Sequence, residues 1–192
     1  LMAGVERVRH LGQVGRWAEA ARLAAELTVE LERRGRIAQP LLAELHQVHS
    51  YTLADAGDKE GALDHMAQAA ALDERDAFYV RKIERIYDIA FTAADLGELD
   101  AAERFAALHH KLTLADGDAD LVTWDRFLCA RIAGLRDAPA RVIQCLAPAA
   151  GLLAKPDRRL QVRMLGQRAL AAAQLGQAQA AQRDLDQLKT IP

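Results

Sequence analysis

The chain has 192 residues, a formal net charge of −2 at pH 7 and 51% apolar residues, a composition that excludes intrinsic disorder. This length supports a full hydrophobic core without disulfides or metals. The nearly balanced charge creates no global field that would favour nucleic acid, so we predict no direct nucleic-acid partner.

Alanine and leucine dominate the apolar residues, while aromatic residues make up only 5% of the chain. This composition favours helices over strands. No apolar stretch is long enough to cross a membrane and no signal peptide opens the chain, so we predict a cytoplasmic protein with no membrane partner. For the two cysteines, Cys129 and Cys145, we predict reduced thiols in the core, with a disulfide between neighbouring helices as the alternative.

Four stretches along the chain share one pattern, in which a glycine is followed by small and apolar residues. They read GRWAEAA at 15–21, GDKEGAL at 57–63, GELDAAE at 97–103 and GQAQAAQ at 176–182. The first three glycines are 42 and 40 residues apart, and the last interval of 79 is close to two steps. The spacing therefore predicts a degenerate copy near Asp137, where Pro139 would begin a helix. A fixed period of this length is typical of stacked helical repeats.

Small residues occupy matched positions on both sides of these glycines. Five residues after the turn stand Ala20, Ala62, Ala102, Val142 and Ala181, and seven before it stand Val8, Ser50, Ala90, Ala130 and Ala169. Small side chains at such positions let two antiparallel helices approach closely. The glycine ends the first helix, because glycine adopts the left-handed conformation without strain. Each copy is therefore predicted to be a helix–turn–helix hairpin.

We predict one domain over residues 1–192, built of five hairpins at roughly 1–36, 37–76, 77–117, 118–156 and 157–192. The breaks coincide with Pro40, Gly117 and Pro156. Pro40, Pro139 and Pro156 suit the first turn of a helix, where the missing N–H costs nothing. Pro148 lies inside an apolar stretch, and we expect it to kink or shorten that helix.

The stretch GRWAEA, and GDKEGALDHMAQAAALD after it, resemble the tetratricopeptide repeat (TPR), and the resemblance extends over the whole chain. It implies an all-α fold, a right-handed α-solenoid of about five antiparallel helix–turn–helix hairpins. Three features differ from the family: a period near 40 instead of about 34 residues, an aspartate in place of the fourth turn glycine, and no closing proline. In these features the chain resembles the looser TPR-like arrays of bacterial regulators.

No residue pattern predicts catalysis, so we predict that the chain is not an enzyme and needs no cofactor. Ser50 is the only serine and occupies a helix-packing position, and no phosphate-binding glycine loop is present. The stretch that begins at Asp116 resembles a calcium loop, but it has Leu121 and Phe127 where glycine and glutamate are required. Its aspartates are better explained as caps of the next helix.

The histidines form two sequence pairs, and we predict a metal site at neither. His46 and His49 are three residues apart on one helix, but no third ligand follows nearby, so we expect one to be packed and one solvated. His109 and His110 are adjacent and would point to different sides of their helix, which makes a joint site unexpected.

The TPR resemblance implies that a partner binds along the first helix of each hairpin, at positions ten, six, three and two residues before the turn. The candidate groove residues at these positions are Tyr51, Asp55, Tyr87, Phe91, Asp95, Phe127 and Arg131, with Trp124 one helical turn earlier. Such an aromatic track with acidic neighbours would suit a helix or extended segment that carries apolar anchors and basic residues. The alternative is that several of these aromatics belong to the core. Trp17 matches a packing position of the family and is assigned to the core.

The predicted function is a protein–protein interaction module, the regulatory or sensory segment of a larger bacterial signalling or transcription-regulating protein. Its partner would be a protein or peptide segment, including another domain of the same protein. The chain begins at Leu1 and ends without an additional polar helix, which suggests an array that continues or pairs with another molecule. The alternatives are a self-contained scaffold that forms a homodimer through its uncapped terminal helices, and a helical sensor of a small ligand or metal.

Overall fold

The computed structural model describes residues 1–73, 79–147 and 158–191, and these residues form α-helices joined by short turns. Among them there is no strand, which confirms the all-α class. A short 3₁₀ turn, Gly35–Ala38, precedes the third helix. The ten α-helices are α1 (Met2–Gln13), α2 (Trp17–Arg33), α3 (Gln39–Asp55), α4 (Lys59–Asp73), α5 (Tyr79–Asp95), α6 (Leu99–Asp116), α7 (Ala119–Leu135), α8 (Pro139–Leu146), α9 (Arg158–Gln174) and α10 (Ala178–Lys189).

The chain divides into two compact units, which we call unit 1 (Leu1–Thr92) and unit 2 (Ala93–Pro192). In unit 1, α1 packs on α2 and α3, and α3 packs on α4. In unit 2, α7 packs on α6, α8 and α9, and α9 packs on α10. The first helices α1, α3, α7 and α9 therefore each contact their own second helix and a neighbouring hairpin. The finer division into five repeat units stays a prediction.

Five turns repeat the same backbone geometry. Gly15, Gly57, Gly97 and Gly176 have φ between 72° and 85°, and Asp137 takes the same place with φ 54°. At each turn the next residue donates its N–H to the carbonyl five residues earlier, at 2.8–2.9 Å. Asp137 is the only non-glycine with positive φ among the described residues. The predicted degenerate copy is thus confirmed, and aspartate is one of the few residues that tolerate this conformation.

The small residues on either side of the turns are buried, as the spacing predicts. Those five residues after each turn are 0–7% exposed, and those seven before it are 0–5% exposed. Packing between helices is also tight at Gly12, where an added Cβ would lie 2.6 Å from Thr52 Oγ1. Close helix approach therefore depends on side-chain size at these places.

Larger apolar side chains complete the cores of the two units. Unit 1 buries Val5, Leu11, Leu31, Leu45 and Ile86, and unit 2 buries Leu128, Leu146, Leu160, Met164 and Leu165. No described helix has both the length and the apolar composition needed to cross a membrane.

Helix starts follow the predicted signals. Pro40 stands in the first turn of α3, and Pro139 begins α8. Asp118 caps α7, because its Oδ1 accepts the N–H groups of Asp120 and Leu121 at 2.8 and 3.1 Å. The predicted roles of Pro148 and Pro156 lie outside the described residues.

Two expectations are wrong. Cys129 of α7 and Cys145 of α8 form a disulfide rather than reduced thiols. Each cysteine stands eight residues from Asp137, so the two face each other across one antiparallel hairpin. Trp17 is 42% exposed rather than part of the core. It begins α2 beside an exposed turn, whereas Ala20, Ala24 and Leu31 are the residues of α2 that are buried in the core.

Candidate partner-binding surface

The first helices of three hairpins form a cleft in unit 1. Its volume is about 350 Å³, and it is lined from α1, α3 and α5. Four acidic residues lie in it: Glu6, Glu44, Glu84 and Asp88. Arg9 pairs with two of them, at 2.6 Å from Glu6 and 3.0 Å from Glu44. Among the residues described, the lining contains one cation, Arg85, and Arg9 pairs with two of the lining carboxylates. The four carboxylates therefore outnumber these two cations.

A polar network fixes one wall of this acidic cleft. Gln47 Nε2 donates to the hydroxyl of Tyr51 at 2.8 Å and to Asp88 Oδ2 at 3.0 Å. Burial raises the pKa of the Tyr51 phenol and that of the Asp88 carboxyl. Hydrogen bonds from Tyr51 and Gln47 partly oppose the shift in pKa at Asp88. The network joins α3 to α5 and holds the predicted residue Tyr51 beside the cleft.

The other predicted residues of unit 1 lie on the same two helices. Tyr87 and Phe91 stack on α5 with ring centroids 5.9 Å apart, and both are partly exposed. Asp55 ends α3 and is exposed. Half-buried aromatics of this kind present an edge for contact while their bodies pack on the helix.

In unit 2 the predicted residues form two pairs. Trp124 contacts Phe127 edge to face, with centroids 6.3 Å apart. Phe127 is only 1% exposed, so it belongs to the core, and the expectation that it faces a partner needs correction. Asp95 accepts a hydrogen bond from Arg131. Two residues that we expected to meet a partner separately therefore bind each other.

Three histidines meet in unit 1, one more than the sequence indicated. His46 Nδ1 lies 2.8 Å from His65 Nδ1, and the ring centroids of His49 and His65 are 4.2 Å apart. Burial lowers the pKa of His46 and of His49 to about 4, and the pKa of His65 is also lowered. His46 and His49 are both buried, contrary to the expectation that one is solvated.

The histidine cluster (His46, His49 and His65) brings together side chains of α3 and α4. Among the described residues, no three His, Cys, Asp or Glu side chains could hold a metal ion. The two Nδ1 atoms of His46 and His65 lie at hydrogen-bond distance, which requires that one ring donates and the other accepts.

His109 and His110 act together in unit 2, contrary to expectation. Their Nδ1 atoms lie 2.9 and 2.7 Å from the two oxygens of Asp125. His109 is buried and His110 is exposed. Adjacent helical residues point about 100° apart, and a carboxylate on the facing helix bridges that angle.

Comparison with solved structures identifies the fold. The chain is similar to two crystal structures of a putative kinesin light chain from Podosopora anserina with nearly identical TPR-like repeats, one of which carries a single substitution. For both the TM-score is 0.79 at 16% identity, over 100% of this chain and 93% or 94% of the other. No protein-family model and no curated protein matches the sequence. The chain therefore has the TPR-like helical-repeat fold.

The acidic residues of the cleft were missed because sequence reasoning concentrated on aromatics near the turns. The spacing of these acidic residues from the turns indicates the cleft. Glu44 and Glu84 stand thirteen residues before their turn glycines, and Glu6 and Asp88 stand nine before theirs. Matched positions on successive first helices come to one surface in a repeat array.

Proposed function

We propose that the chain is a protein-interaction module whose acidic cleft in unit 1 binds a basic peptide segment. The observation that carries this proposal is that three successive first helices contribute Glu6, Glu44, Glu84 and Asp88 to one cleft. Clustered carboxylates attract a segment rich in arginine or lysine and speed its encounter. This proposal requires no catalytic group.

The partly exposed aromatics on α3 and α5 supply the apolar part of the same surface. Tyr51 borders the cleft through its hydrogen-bonded hydroxyl, and Tyr87 and Phe91 lie on the helix that carries Asp88. Aromatic side chains in partly desolvated positions are common binding hot spots. A helical or extended segment with apolar anchors between basic residues would fit this combination.

The biological setting is a finer proposal. Resemblance to bacterial repeat arrays supports a regulatory or sensory segment of a larger signalling or transcription-regulating protein, and the partner could then be another domain of that protein.

The disulfide Cys129–Cys145 bears on the cellular location of the protein, because disulfides persist mainly in oxidising compartments. It argues against the cytoplasmic location predicted from sequence, and thiol labelling of protein taken directly from cells would decide between the two.

The binding proposal is tested with two families of fluorescent peptides that share apolar anchors at helical spacing. One carries Arg and Lys between the anchors, and the other carries Asp and Glu. We expect the basic family to bind, with affinity falling as salt increases. The double variant Glu44→Gln, Glu84→Gln should weaken binding by about tenfold. Glu26→Gln, which removes an exposed carboxylate of α2, is the matched control.

Two outcomes would contradict the proposal. One is equal binding of both peptide families, and the other is unchanged affinity in the cleft variant. A second variant, Tyr87→Ala with Phe91→Ala, then tests the aromatic part separately. If it lowers affinity while the charge variant does not, the binding surface is apolar and lies towards the turn end of α5.

A homodimer is the second candidate, because the last hairpin exposes large apolar side chains. Leu170 is 63% exposed, Leu185 44% and Leu175 40%. Sedimentation equilibrium would reveal a dimer that strengthens with concentration. The variant Leu170→Gln, Leu185→Gln should then be monomeric, whereas a monomeric parent protein removes this candidate.

A further inference from the structure

Unit 2 contains a cavity that neither the repeat pattern nor the proposed peptide surface explains. Its volume is about 470 Å³, and α6, α7 and α8 line it. Ala106, Ile132 and Ala133 form part of its apolar wall, next to the disulfide of Cys129 and Cys145. Cavities of roughly 300–1,000 Å³ with apolar walls and a few polar groups are typical of small-molecule sites.

Two arginines contribute positive charge to this cavity. Arg126 extends from α7 and Arg141 from α8. Arg126 Nη1 is buried and has no hydrogen-bond partner among the described residues. Among the residues that the structure describes, neither Arg126 nor Arg141 forms an ion pair with a carboxylate. A buried donor is normally paired in a folded protein, so this donor is available to an acceptor that enters the cavity.

The two acidic residues of the lining already have partners of their own. Although burial opposes ionisation of Asp125, its hydrogen bonds with the imidazoles of His109 and His110 hold the pKa of this carboxyl below its usual range. Glu103 lies 3.5 Å from Arg136. Both lining carboxylates thus have a partner, whereas the buried Nη1 of Arg126 has none and the exposed Arg141 forms no ion pair, which favours an anion.

We propose that this cavity binds a small organic anion, in which an apolar body contacts the alanine and isoleucine wall and an oxyanion pairs with Arg126 and Arg141. The planar guanidinium donates two parallel hydrogen bonds to a carboxylate or phosphate group. The disulfide that borders the cavity ties α7 to α8, the two helices that carry the arginines. This site is separate from the proposed peptide surface, so either can fail without the other.

Isothermal titration calorimetry with eight-carbon probes tests the site. Octanoate and octyl phosphate present the two oxyanions, octanamide is the neutral match, and octylammonium is the cationic one. We expect one or both anions to bind at least about tenfold more tightly than octanamide. The stronger of the two identifies the oxyanion class.

Variants locate the site. Arg126→Gln should weaken binding of the preferred anion by about tenfold, and Arg141→Gln should do the same. Arg104→Gln is the control, because Arg104 is an exposed residue of α6 outside the lining. Circular dichroism verifies that each variant is folded, and the second arginine variant keeps the test valid if the first unfolds.

Three results would overturn the proposal. The first is equal affinity for octanoate, octyl phosphate and octanamide, and the second is tighter binding of octylammonium. The third is an absence of both binding heat and thermal stabilisation with either anion at about 5 mM, a concentration that detects even millimolar affinity.

Discussion

Unit 1 and unit 2 each bury histidines, but the side chains that contact the imidazole rings differ between the units. In unit 1, His46, His49 and His65 pack on one another, and burial lowers their pKa values. In unit 2, a single carboxylate, Asp125, lies within hydrogen-bond distance of two imidazoles. Residues of the same type therefore contact one another in unit 1 and a shared carboxylate in unit 2.

The difference shows that neighbours, and not burial alone, decide the pKa of a buried group: at Asp125 the hydrogen bonds from two imidazoles lower the pKa of the carboxyl although burial opposes this. Desolvation disfavours the protonated ring wherever it occurs, whereas an adjacent carboxylate favours it. In unit 1 the attractive influences on the pKa of His65 come from Asp64 and Asp58, and they do not overcome burial. Four experiments test this comparison and the packing around it.

The largest effect is expected from Asp125→Ala in unit 2. The change removes the acceptor of the fully buried His109 and leaves a polar ring atom without its partner. Breaking such a buried contact should lower the free energy of unfolding by about 3 kcal/mol. Urea denaturation measures the change, with Asp120→Asn on the exposed side of α7 as control. An effect below that of the control would mean that the contact adds nothing to stability.

Acidification should weaken unit 1 through its histidine cluster. His46 and His49 have folded pKa values of about 4, below their ordinary value of about 6.5. The unfolded chain therefore binds more protons than the folded chain between these pH values, and stability falls as pH falls through this window. Allowing for solvent screening, we expect a loss of about 2 kcal/mol.

The double variant His46→Gln, His49→Gln isolates this loss. Its free energy of unfolding should depend less on pH than that of the parent between about 6.5 and 4. His10→Gln, an exposed change on α1, should leave the slope unaltered. Equal slopes in the parent and the double variant would assign the acid sensitivity to carboxylates instead.

Two glycine substitutions compare helix packing in the two units. Gly12→Ala places a Cβ 2.6 Å from Thr52 Oγ1 in unit 1. A Cβ added at Gly166 in unit 2 meets no neighbouring heavy atom within 4 Å. We expect Gly12→Ala to destabilise by about 1–2 kcal/mol through overpacking. Gly166→Ala should stabilise by up to about 1 kcal/mol, since alanine favours a helix. Melting temperatures that shift in the same direction would contradict this contrast.

The smallest effect is expected at the helix caps. Asp118 accepts two backbone N–H groups at the start of α7, and Asp58 accepts one, that of Gly61, in α4. Asp118→Ala should cost about 1 kcal/mol, and Asp58→Ala less. Thermal unfolding of the two variants measures the order, and a larger loss at Asp58 would assign that residue a role beyond capping.

The repeat pattern predicted local structure well because the turns obey local rules. Gly57 and Asp137 reach the left-handed conformation through their own backbone preferences, and Pro139 begins a helix for a similar reason. The candidate site was less predictable. The residues Tyr51, Tyr87 and Phe91 were identified from a resemblance, but whether an aromatic is half-buried or, like Phe127, fully buried depends on the neighbouring helices.

The helical hairpins, the turns between them and the small residues that face each other were predictable, because each follows from spacing and backbone preference within about twenty residues. Which side chains of different helices meet was not predictable from spacing and depends on how the helices pack. Asp95 bound Arg131, Asp125 bound both His109 and His110, His65 joined His46, and Cys129 paired with Cys145. These contacts depend on the rotation and offset of packed helices. The periodicity of a single helix leaves both undetermined, because several side chains share each face.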